Sequence, residues 1–470
     1  MKKFKLIFAT LVAALFTFAG GKALAYDITI NNGGSGTYES YQIFTGDLST
    51  DETTLSNIKW GNGITDAGKA ALQTKYSASS AAEIAKKLGD KAVDADEFAK
   101  EAGKYLQNPG GLTGLAAGYY LVQNKTVGDH EAYTNYILKV VKNVTVEPKT
   151  DTPTVEKKVK DTNDTSGKTS DWQDSADYDI KDDVPFQLTA TLPNNFATYD
   201  EYYLEFADTL SSGLTYNKDA KVFLVNGGDE TDVTSSFTIA EDGSSFKINN
   251  LKSISGVTAS SKIVVRYTAK LDSNAVIGSA GNPNTVKLVY SNNPNAAGHG
   301  ETPEDTVVVF TYKVIVNKVD QDNKPLANAG FTLYKKDSAN NWNVVKAISA
   351  SEATSFTFSG IDDGDYKLSE TDTPNGYNTI DDILFTVSAK HDAESNEPQL
   401  TELSGVDPTG KITFTSNTSE GSLTAPVPNT KGSILPSTGG MGTKVLYAVG
   451  VVLILIAGVL IVTKKRMEVK

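Results

Sequence analysis

Residues 316–336 read VNKVDQDNKPLANAGFTLYKK, and residues 358–378 read FSGIDDGDYKLSETDTPNGYN. Apolar and polar residues alternate in both stretches, and the polar turns DQDNKPL and DDGDY punctuate them, which is the texture of strands. Side chains at i and i+2 point to the same side of a strand. Lys318 therefore shares a face with Val314 and Val316, and Glu370 shares one with Tyr366 and Leu368. Asn429 follows Val427 in the same way. An ammonium, a carboxyl and a carboxamide all fall in phase with the apolar side of a sheet.

The preceding block repeats the pattern. In PTVEKKVKD (153–161), Val155, Lys157 and Val159 share a side while Glu156 and Lys158 lie opposite. In YYLEFADTLSSGLTY (202–216), Tyr202, Leu204, Phe206 and Asp208 line up. In NPNTVKLVYSNNP (282–294), Asn284 is in phase with Val286, Leu288 and Tyr290, and Asn282 and Asn292 share that phase. Burying an unpaired Lys or Glu costs on the order of several kcal/mol, and such groups tend to neutralise instead. One such residue could sit near a strand end and snorkel its charge into water. Two Lys–acid–Asn sets in the same chain order imply that the members of each set meet.

The rest of the chain sorts by texture. Residues 26–150 mix strand-like runs, YESYQIFTGDL, GYYLVQN and YTNYILKVVKNVTVEP, with a stretch rich in Ala, Lys and Glu over 65–107. There SSAAEIAKKLG (79–89) carries a capping box, Ser80 with Glu83, and Gly89 as a stop. This is an α+β domain. EPKTDTP (147–153) is a polar joint. Residues 151–311 show strands divided by Gly, Asn and Asp turns, a β-sandwich texture, and 312–430 is a second all-strand block. The fold class expected is mostly β: tandem Ig-like sandwiches after an α+β domain.

The ends point outside the cell. Residues 1–25 have Lys2, Lys3 and Lys5, an apolar middle LIFATLVAALFTFAG and the small-residue exit Ala23-Leu24-Ala25, a secretory signal. A linker, 431–444, contains LPSTGG; residues 445–463, VLYAVGVVLILIAGVLIVT, are uncharged and long enough to span a bilayer, and the basic tail 464–470 marks the cytoplasmic side. The 470-residue chain carries a net charge of −13; without the four lysines of the leader, and the five basic residues and one glutamate after Thr438, it is about −21. So acidic a surface argues against nucleic acid and for a soluble, self-repelling product. With no cysteine, an exported protein gains no disulfides, and its rigidity must come from another bond.

The ordered trio of LPSTG, apolar span and basic tail resembles the cell-wall sorting signal of Gram-positive bacteria. That resemblance implies cleavage between Thr438 and Gly439 by a membrane sortase, which holds the Thr carbonyl as a thioester and passes it to an amine. Leu435, Pro436, Ser437, Thr438 and Gly439 are the motif; Pro436 favours an extended approach. The last block, through the two stretches quoted first, resembles a collagen-adhesin B-type domain, and FADTLSSGLTY with NTVKLVYSNNP resembles the middle domain of backbone pilins. The resemblance implies Lys318–Asn429 and Lys157–Asn284 isopeptide cross-links, with Glu370 and Asp208 as the acids that catalyse them. VTVEPK stands where backbone pilins carry a YPK pilin motif, making Lys149 the acceptor for the next subunit, although Glu147 replaces the tyrosine; Lys142 is the alternative.

Such a cross-link needs no outside enzyme. An apolar site disfavours the ammonium and leaves a neutral amine nucleophile. An acid in the same dry setting keeps a proton to donate to the Asn oxygen and then shuttles protons until ammonia leaves. Folding replaces concentration with effective molarity.

Other signals carry less. SGKTS (166–170) lacks the first P-loop glycine, with Thr162 in its place, and reads as a loop. DQDNK begins like a calcium loop but has Lys324 at a ligand position and no glycine next, so a β-turn is expected. His130, His299 and His391 lie far apart in polar stretches, and no metal site or catalytic triad is expected from them. The reading as a whole is a structural shaft subunit of a covalent surface pilus, joined Thr438 to Lys149. It takes no cofactor and has no enzymatic activity beyond closing its own bonds. Its partners are a pilus sortase and a housekeeping sortase, further copies of itself, accessory pilins, peptidoglycan and a host surface. The alternative is a wall-anchored monomeric adhesin of the same modular build.

Overall fold

The computed structural model describes residues 25–31, 36–128, 130–147, 151–294, 296–432 and 441–467. The leader up to residue 24, Lys149 and the whole LPSTG motif (Leu435, Pro436, Ser437, Thr438 and Gly439) lie outside the described residues.

The first unit contains β1 (Ile28–Ile30), β2 (Tyr38–Leu48), β3 (Leu55–Trp60), α1 (Asp66–Lys75), α2 (Ala81–Gly89), α3 (Ala95–Gly103), β4 (Gly118–Asn124), β5 (Asn135–Val140) and β6 (Val144–Val146). β3-β2-β4-β5 form an antiparallel sheet. The Ala-, Lys- and Glu-rich stretch gives three helices, each opened by a side-chain cap at Thr65, Ser80 or Asp94. At α2 the Ser80 hydroxyl accepts from the Glu83 N–H, while the Glu83 carboxylate accepts from the Ser79 N–H, one residue before the partner of an ideal capping box. Leu72, Ile84, Leu88 and Phe98 then pack on Ile43, Phe44 and Leu121. The run YTNYILKVVKNVTVEP is two strands rather than one. β5 completes the sheet, and β6 turns away to pair in parallel with β1.

The second unit contains β7 (Thr154–Val159), β8 (Thr162–Asn163), β9 (Lys168–Thr169), β10 (Ser175–Asp177), β11 (Asp183–Thr191), β12 (Leu204–Leu210), β13 (Leu214–Tyr216), β14 (Lys221–Asn226), β15 (Asp229–Asp232), β16 (Thr238–Ile239), β17 (Ser245–Ile248), β18 (Lys262–Leu271), β19 (Asn282–Ser291), β20 (His299–Glu301) and β21 (Asp305–Phe310). One sheet runs β15-β14-β18-β11-β7 with β13 beside β18; the other runs β10-β21-β19-β12-β17-β16 with β20 beside β19. Their inward residues, among them Phe186, Leu188, Tyr202, Phe206, Phe246 and Leu288, form one core. The SGKTS stretch, expected as a loop, ends the turn of a small hairpin and supplies its second strand, β9, paired with β8.

The third unit contains β22 (Tyr312–Asp320), β23 (Gly330–Lys336), β24 (Trp342–Ile348), β25 (Ser355–Ile361), β26 (Gly364–Asp372), β27 (Ile383–His391), β28 (Leu400–Val406), β29 (Thr415–Asn417) and β30 (Ser422–Asn429). Sheet β25-β22-β30-β29 faces sheet β24-β23-β26-β27-β28. DQDNK is a turn: the Asn323 N–H donates to the Asp320 carbonyl, the Asp320 N–H to the Lys324 carbonyl, and the Lys324 N–H to Asp320 Oδ1. Only Thr311 separates β21 from β22. Alternate residues of β21 serve different cores: Val307 and Val309 face the second unit, Val308 and Phe310 the third. Beyond the sandwiches, α4 (Met441–Met467) includes Val445–Lys465, mean hydropathy 3.1, long and apolar enough to cross a membrane.

Candidate functional site: two buried lysine, carboxylate and asparagine sets

All six core-phase residues, Lys157, Asp208, Asn284, Lys318, Glu370 and Asn429, are buried, as strand alternation requires. In the middle sandwich, Lys157 comes from β7, the edge of one sheet, and reaches across to the other. There β12 and β19 pair with Asp208 opposite Val286 and Asn284 opposite Leu210. That register makes Asp208 and Asn284 diagonal neighbours on the inward face. The Lys157 amine donates to an oxygen of Asp208 and to Asn284 Oδ1 at 2.5 Å.

Tyr267 on β18 closes the circuit. Its hydroxyl donates to Asp208 Oδ2 at 2.5 Å and accepts from Asn284 Nδ2 at 2.8 Å. The Lys157 amine lies 5.7 Å from the Phe186 ring centroid and 5.8 Å from that of Tyr267. Burial in this aromatic cradle pulls the lysine pKa down to about 8 against the opposing pull of Asp208. A lowered pKa enlarges the share of lysines that carry a free amine at neutral pH.

The neighbouring asparagines have other work. Asn282 donates to the carbonyls of Val276 and Val309 and accepts from the Val276 N–H. Asn292 lies at the far end of β19, where its backbone bonds to Gly298 and Tyr133. Of the three candidates in phase, only Asn284 meets the lysine.

In the third sandwich β22 and β30 run parallel, with Lys318 opposite Val427 and Asp320 opposite Asn429. Lys318 and Asn429 are thus diagonal neighbours, and Glu370 faces them from β26. Asn429 Nδ2 donates to Glu370 Oε2 at 3.1 Å and to the Asn378 carbonyl at 2.9 Å. The Lys318 amine donates instead to the carbonyls of Val427 and Val319, at 2.8 and 3.1 Å. This set is therefore assembled but not closed. Glu370 Oε1 and Asn429 Oδ1 are buried without a hydrogen bond, two acceptors that a redirected Lys318 amine would satisfy. Lys318 has no solvent exposure, though a thinner layer of protein covers it than covers Lys157. Burial lowers its pKa to about 8, opposed by Glu370.

Sequence reading missed a second buried polar region, at the joint of the two sandwiches. Lys335 of β23 lies among Asp164, Asp179 and Asp362, in ion pairs of 2.9 Å with the first two and a shorter one with Asp362. Burial opposes its charge, but the carboxylates outweigh burial and hold it above the ordinary lysine range. Burial and the charge of Asp179 push Asp362 well up. Beside this cluster, His391 at the end of β27 faces Asp161 and Asp177 of the middle unit. Burial pushes Asp177 up to about 8, helped by Asp161 and Asp363. The Tyr312 hydroxyl lies near enough to favour the Asp177 carboxylate, yet neither it nor Asp177 Oδ2 makes a hydrogen bond. No sequence period links positions 161, 177 and 391.

Comparison with known proteins gives these sandwiches relatives. Residues 174–294 match the family model of the Gram-positive pilin backbone subunit 2, Cna-B-like domain, and residues 312–399 match that of the SpaA prealbumin-like fold domain. The trypsin-resistant surface T6 protein of Streptococcus pyogenes serotype M6 is 27% identical over 410 residues, covering 72% of this chain and 72% of that one. The solved T6 backbone pilin of the same serotype is similar in fold, with TM-score 0.57 and 17% identity over 89% of this chain and 100% of that one. The full-length major pilin SpaD from Corynebacterium diphtheriae gives 0.47 and 17%, over 87% and 97%. A pilin-backbone domain followed by a prealbumin-like domain, a T6 relative and a shared fold along most of the length make the chain similar to the Gram-positive backbone pilins.

Proposed function

We propose that the chain is the shaft subunit of a surface pilus whose sandwiches staple themselves with Lys157–Asn284 and Lys318–Asn429 amides, and whose copies a sortase joins from Thr438 to Lys149. The observation that carries this reading is the Lys157 amine held between the Asp208 carboxylate and the Asn284 carboxamide in a dry core. A buried ion pair could serve stability alone, but burial with such geometry stabilises little more than apolar packing would. As a reacting group it makes chemical sense.

In the middle domain the neutral Lys157 amine attacks Asn284 Cγ. The Nζ–Cγ bond forms, the Cγ–Nδ2 bond breaks, and a proton from Nζ reaches the departing nitrogen through Asp208, so that ammonia leaves. Tyr267 orients both Asp208 and Asn284 through its single hydroxyl. The amide product is neutral, so the buried lysine charge disappears with the reaction. In the last domain Glu370 takes the part of Asp208, already bonded to Asn429 Nδ2.

Between subunits the sortase supplies the same bond type. It would cleave Thr438–Gly439 and transfer the Thr438 carbonyl to the Lys149 amine; Lys142, exposed between β5 and β6, is the alternative acceptor. Head-to-tail joints of this kind do not close and therefore build a filament. The helix α4 would hold the precursor at the membrane until transfer, with wall peptidoglycan as the final acceptor. Peptide mapping of native surface material tests the reading: a branched Thr438–Lys149 peptide is expected. Finding only linear peptides, or Thr438 joined to wall peptide alone, would overturn it and leave the monomeric adhesin.

A further inference from the structure

We propose that Asp161, Asp177 and His391 form a divalent-cation site that pins the last sandwich to the middle one. The proposal goes beyond the shaft reading and does not depend on the isopeptides or the sortase. Asp161 and Asp177 belong to the middle domain, His391 to the last, and each offers a ligand atom within 4.8 Å of the other two.

Two independent features point to a cation. The first is the imidazole's orientation. The Ser175 hydroxyl donates to the Asp392 carbonyl at 2.6 Å, so its free lone pairs face His391 Nδ1 at 2.7 Å. Nδ1 therefore donates to Ser175, and Nε2 faces Asp161 Oδ2 at 3.4 Å, where burial opposes a positive charge but the surrounding carboxylates outweigh burial and favour one. A lone pair aimed at a carboxylate is repulsive unless something positive lies between them. A hydroxyl or carbonyl behind a ligating histidine is the usual device for aiming it. The second feature is Asp177. It is 2% exposed, yet its Oδ2 has no hydrogen bond, which leaves a buried acceptor in want of a partner.

A proton on Nε2 could bridge to Asp161 but, unless the unpaired Tyr312 hydroxyl turned to it, would leave Asp177 Oδ2 unsatisfied. One divalent ion would serve all three groups. An imidazole with two carboxylates suits Zn²⁺, with bonds of about 2.0–2.2 Å and room for water at the open position. Asp363 adds negative charge beside the site, though its Oδ1 already accepts from Asn163 Nδ2 at 2.6 Å. The larger acidic cluster, Asp164, Asp179, Asp182 and Asp362, is not a comparable site, because the Lys335 ammonium already occupies it. The rim around His391 is well built. Asp174 N–H donates to the Ala393 carbonyl at 2.8 Å, and Ser395 N–H donates to Asp174 Oδ2 at 2.8 Å. A metal there would lock a joint whose two sides already fit.

Calorimetric titration of the detergent-solubilised full chain with ZnCl₂, after chelator treatment, tests the site. One Zn²⁺ per chain is expected at pH 7.5, with affinity falling at least ~10-fold in Asp161→Asn and in His391→Gln. Ser175→Ala, which only frees the imidazole to turn, should weaken binding by about 10–100-fold. Asp161 is about a fifth exposed at its side chain, so its variant keeps the test valid should the others misfold. Zinc-edge X-ray absorption should show one imidazole among oxygen ligands. Absence of binding, wild-type affinity in Asp161→Asn, or a joint whose melting temperature follows the protonation of His391 without responding to Zn²⁺ would overturn the proposal.

Discussion

The Lys157 amine and the Asn284 carboxamide oxygen lie 2.5 Å apart although 127 positions separate them in the chain. With Asp208 at the same amine, the fold brings amine, carboxamide and acid into contact without a substrate, replacing concentration with proximity. Intact mass of the folded protein should be lower than the plain sequence by one ammonia for each of two bonds. Lys157→Ala and Asn284→Ala should each restore one ammonia, and Asn282→Ala should restore none. In the chain-entropy view, loss of either tie costs roughly 5 kcal/mol. A wild-type mass equal to the plain sequence would refute the self-stapling reading.

Tyr267 touches Asp208, Asn284 and Lys157 through one hydroxyl. Replacing it by Phe removes the donor to Asp208 Oδ2 and the acceptor for Asn284 Nδ2, at about 1–3 kcal/mol for a buried unsatisfied group. Tyr267→Phe should therefore fold and close its middle tie about 10-fold more slowly, read as ammonia loss against time after refolding. An unchanged rate would reduce the tyrosine to packing.

The last domain offers a pH test. In Asn429→Ala no amide can form, and Lys318 remains a titratable amine with pKa about 8 in the folded state and 10.5 unfolded. Between those values the unfolded chain binds more protons, so stability rises with pH. Chemical denaturation should show Asn429→Ala gaining stability from pH 8 to 10.5 through this group. The closed wild-type domain, whose Lys318 is an amide, should lack that gain.

At the joint, Lys335→Met would strand Asp362, which is fully buried, with no cation beside it. Losing one partner of a buried pair costs about 3–5 kcal/mol, so thermal melts should show a large drop. Lys335→Met with Asp362→Leu should recover much of the loss.

Gly360 has φ +79°, and a Cβ there would lie 2.4 Å from Ile180 Cδ1 of the middle domain. Its carbonyl also accepts the Ile180 N–H at 3.1 Å. Gly360→Ala should destabilise by about 1–2 kcal/mol from the left-handed backbone alone, and more if Ile180 cannot yield. Proteolysis between the last two domains should then quicken.

Much of this was legible because a strand has a period of two. Lys157, Asp208, Lys318, Glu370 and Asn429 stand out by phase alone, and the Ser80 cap of α2 by residue type. What chose Asn284 over Asn282 and Asn292 was the β12–β19 register, which no local pattern fixes. Tyr267 was hidden for another reason: a core-phase tyrosine is usually packing, and nothing in KIVVRYTAKL marks its hydroxyl. The joint was hidden most completely. Its residues come from 161–182, 335, 362 and 391, each an ordinary polar residue until two domains meet. Lys149 and Thr438, legible as motifs, lie outside the described residues.

Asn284 sits on β19, and β20 and β21 still follow before the chain crosses to β22 and Lys318. With both ties in place, a pull along the fibre would enter at Lys157, jump to Asn284, run through the 33 residues from 285 to 317, and jump again from Lys318 to Asn429. The residues inside each loop would feel no tension. Between the two ties the β19–β22 ribbon could be drawn out, to about 110 Å at full extension. It would act as a spring between the two stapled sandwiches, and its unravelling force would set how far they part before a covalent bond is tested.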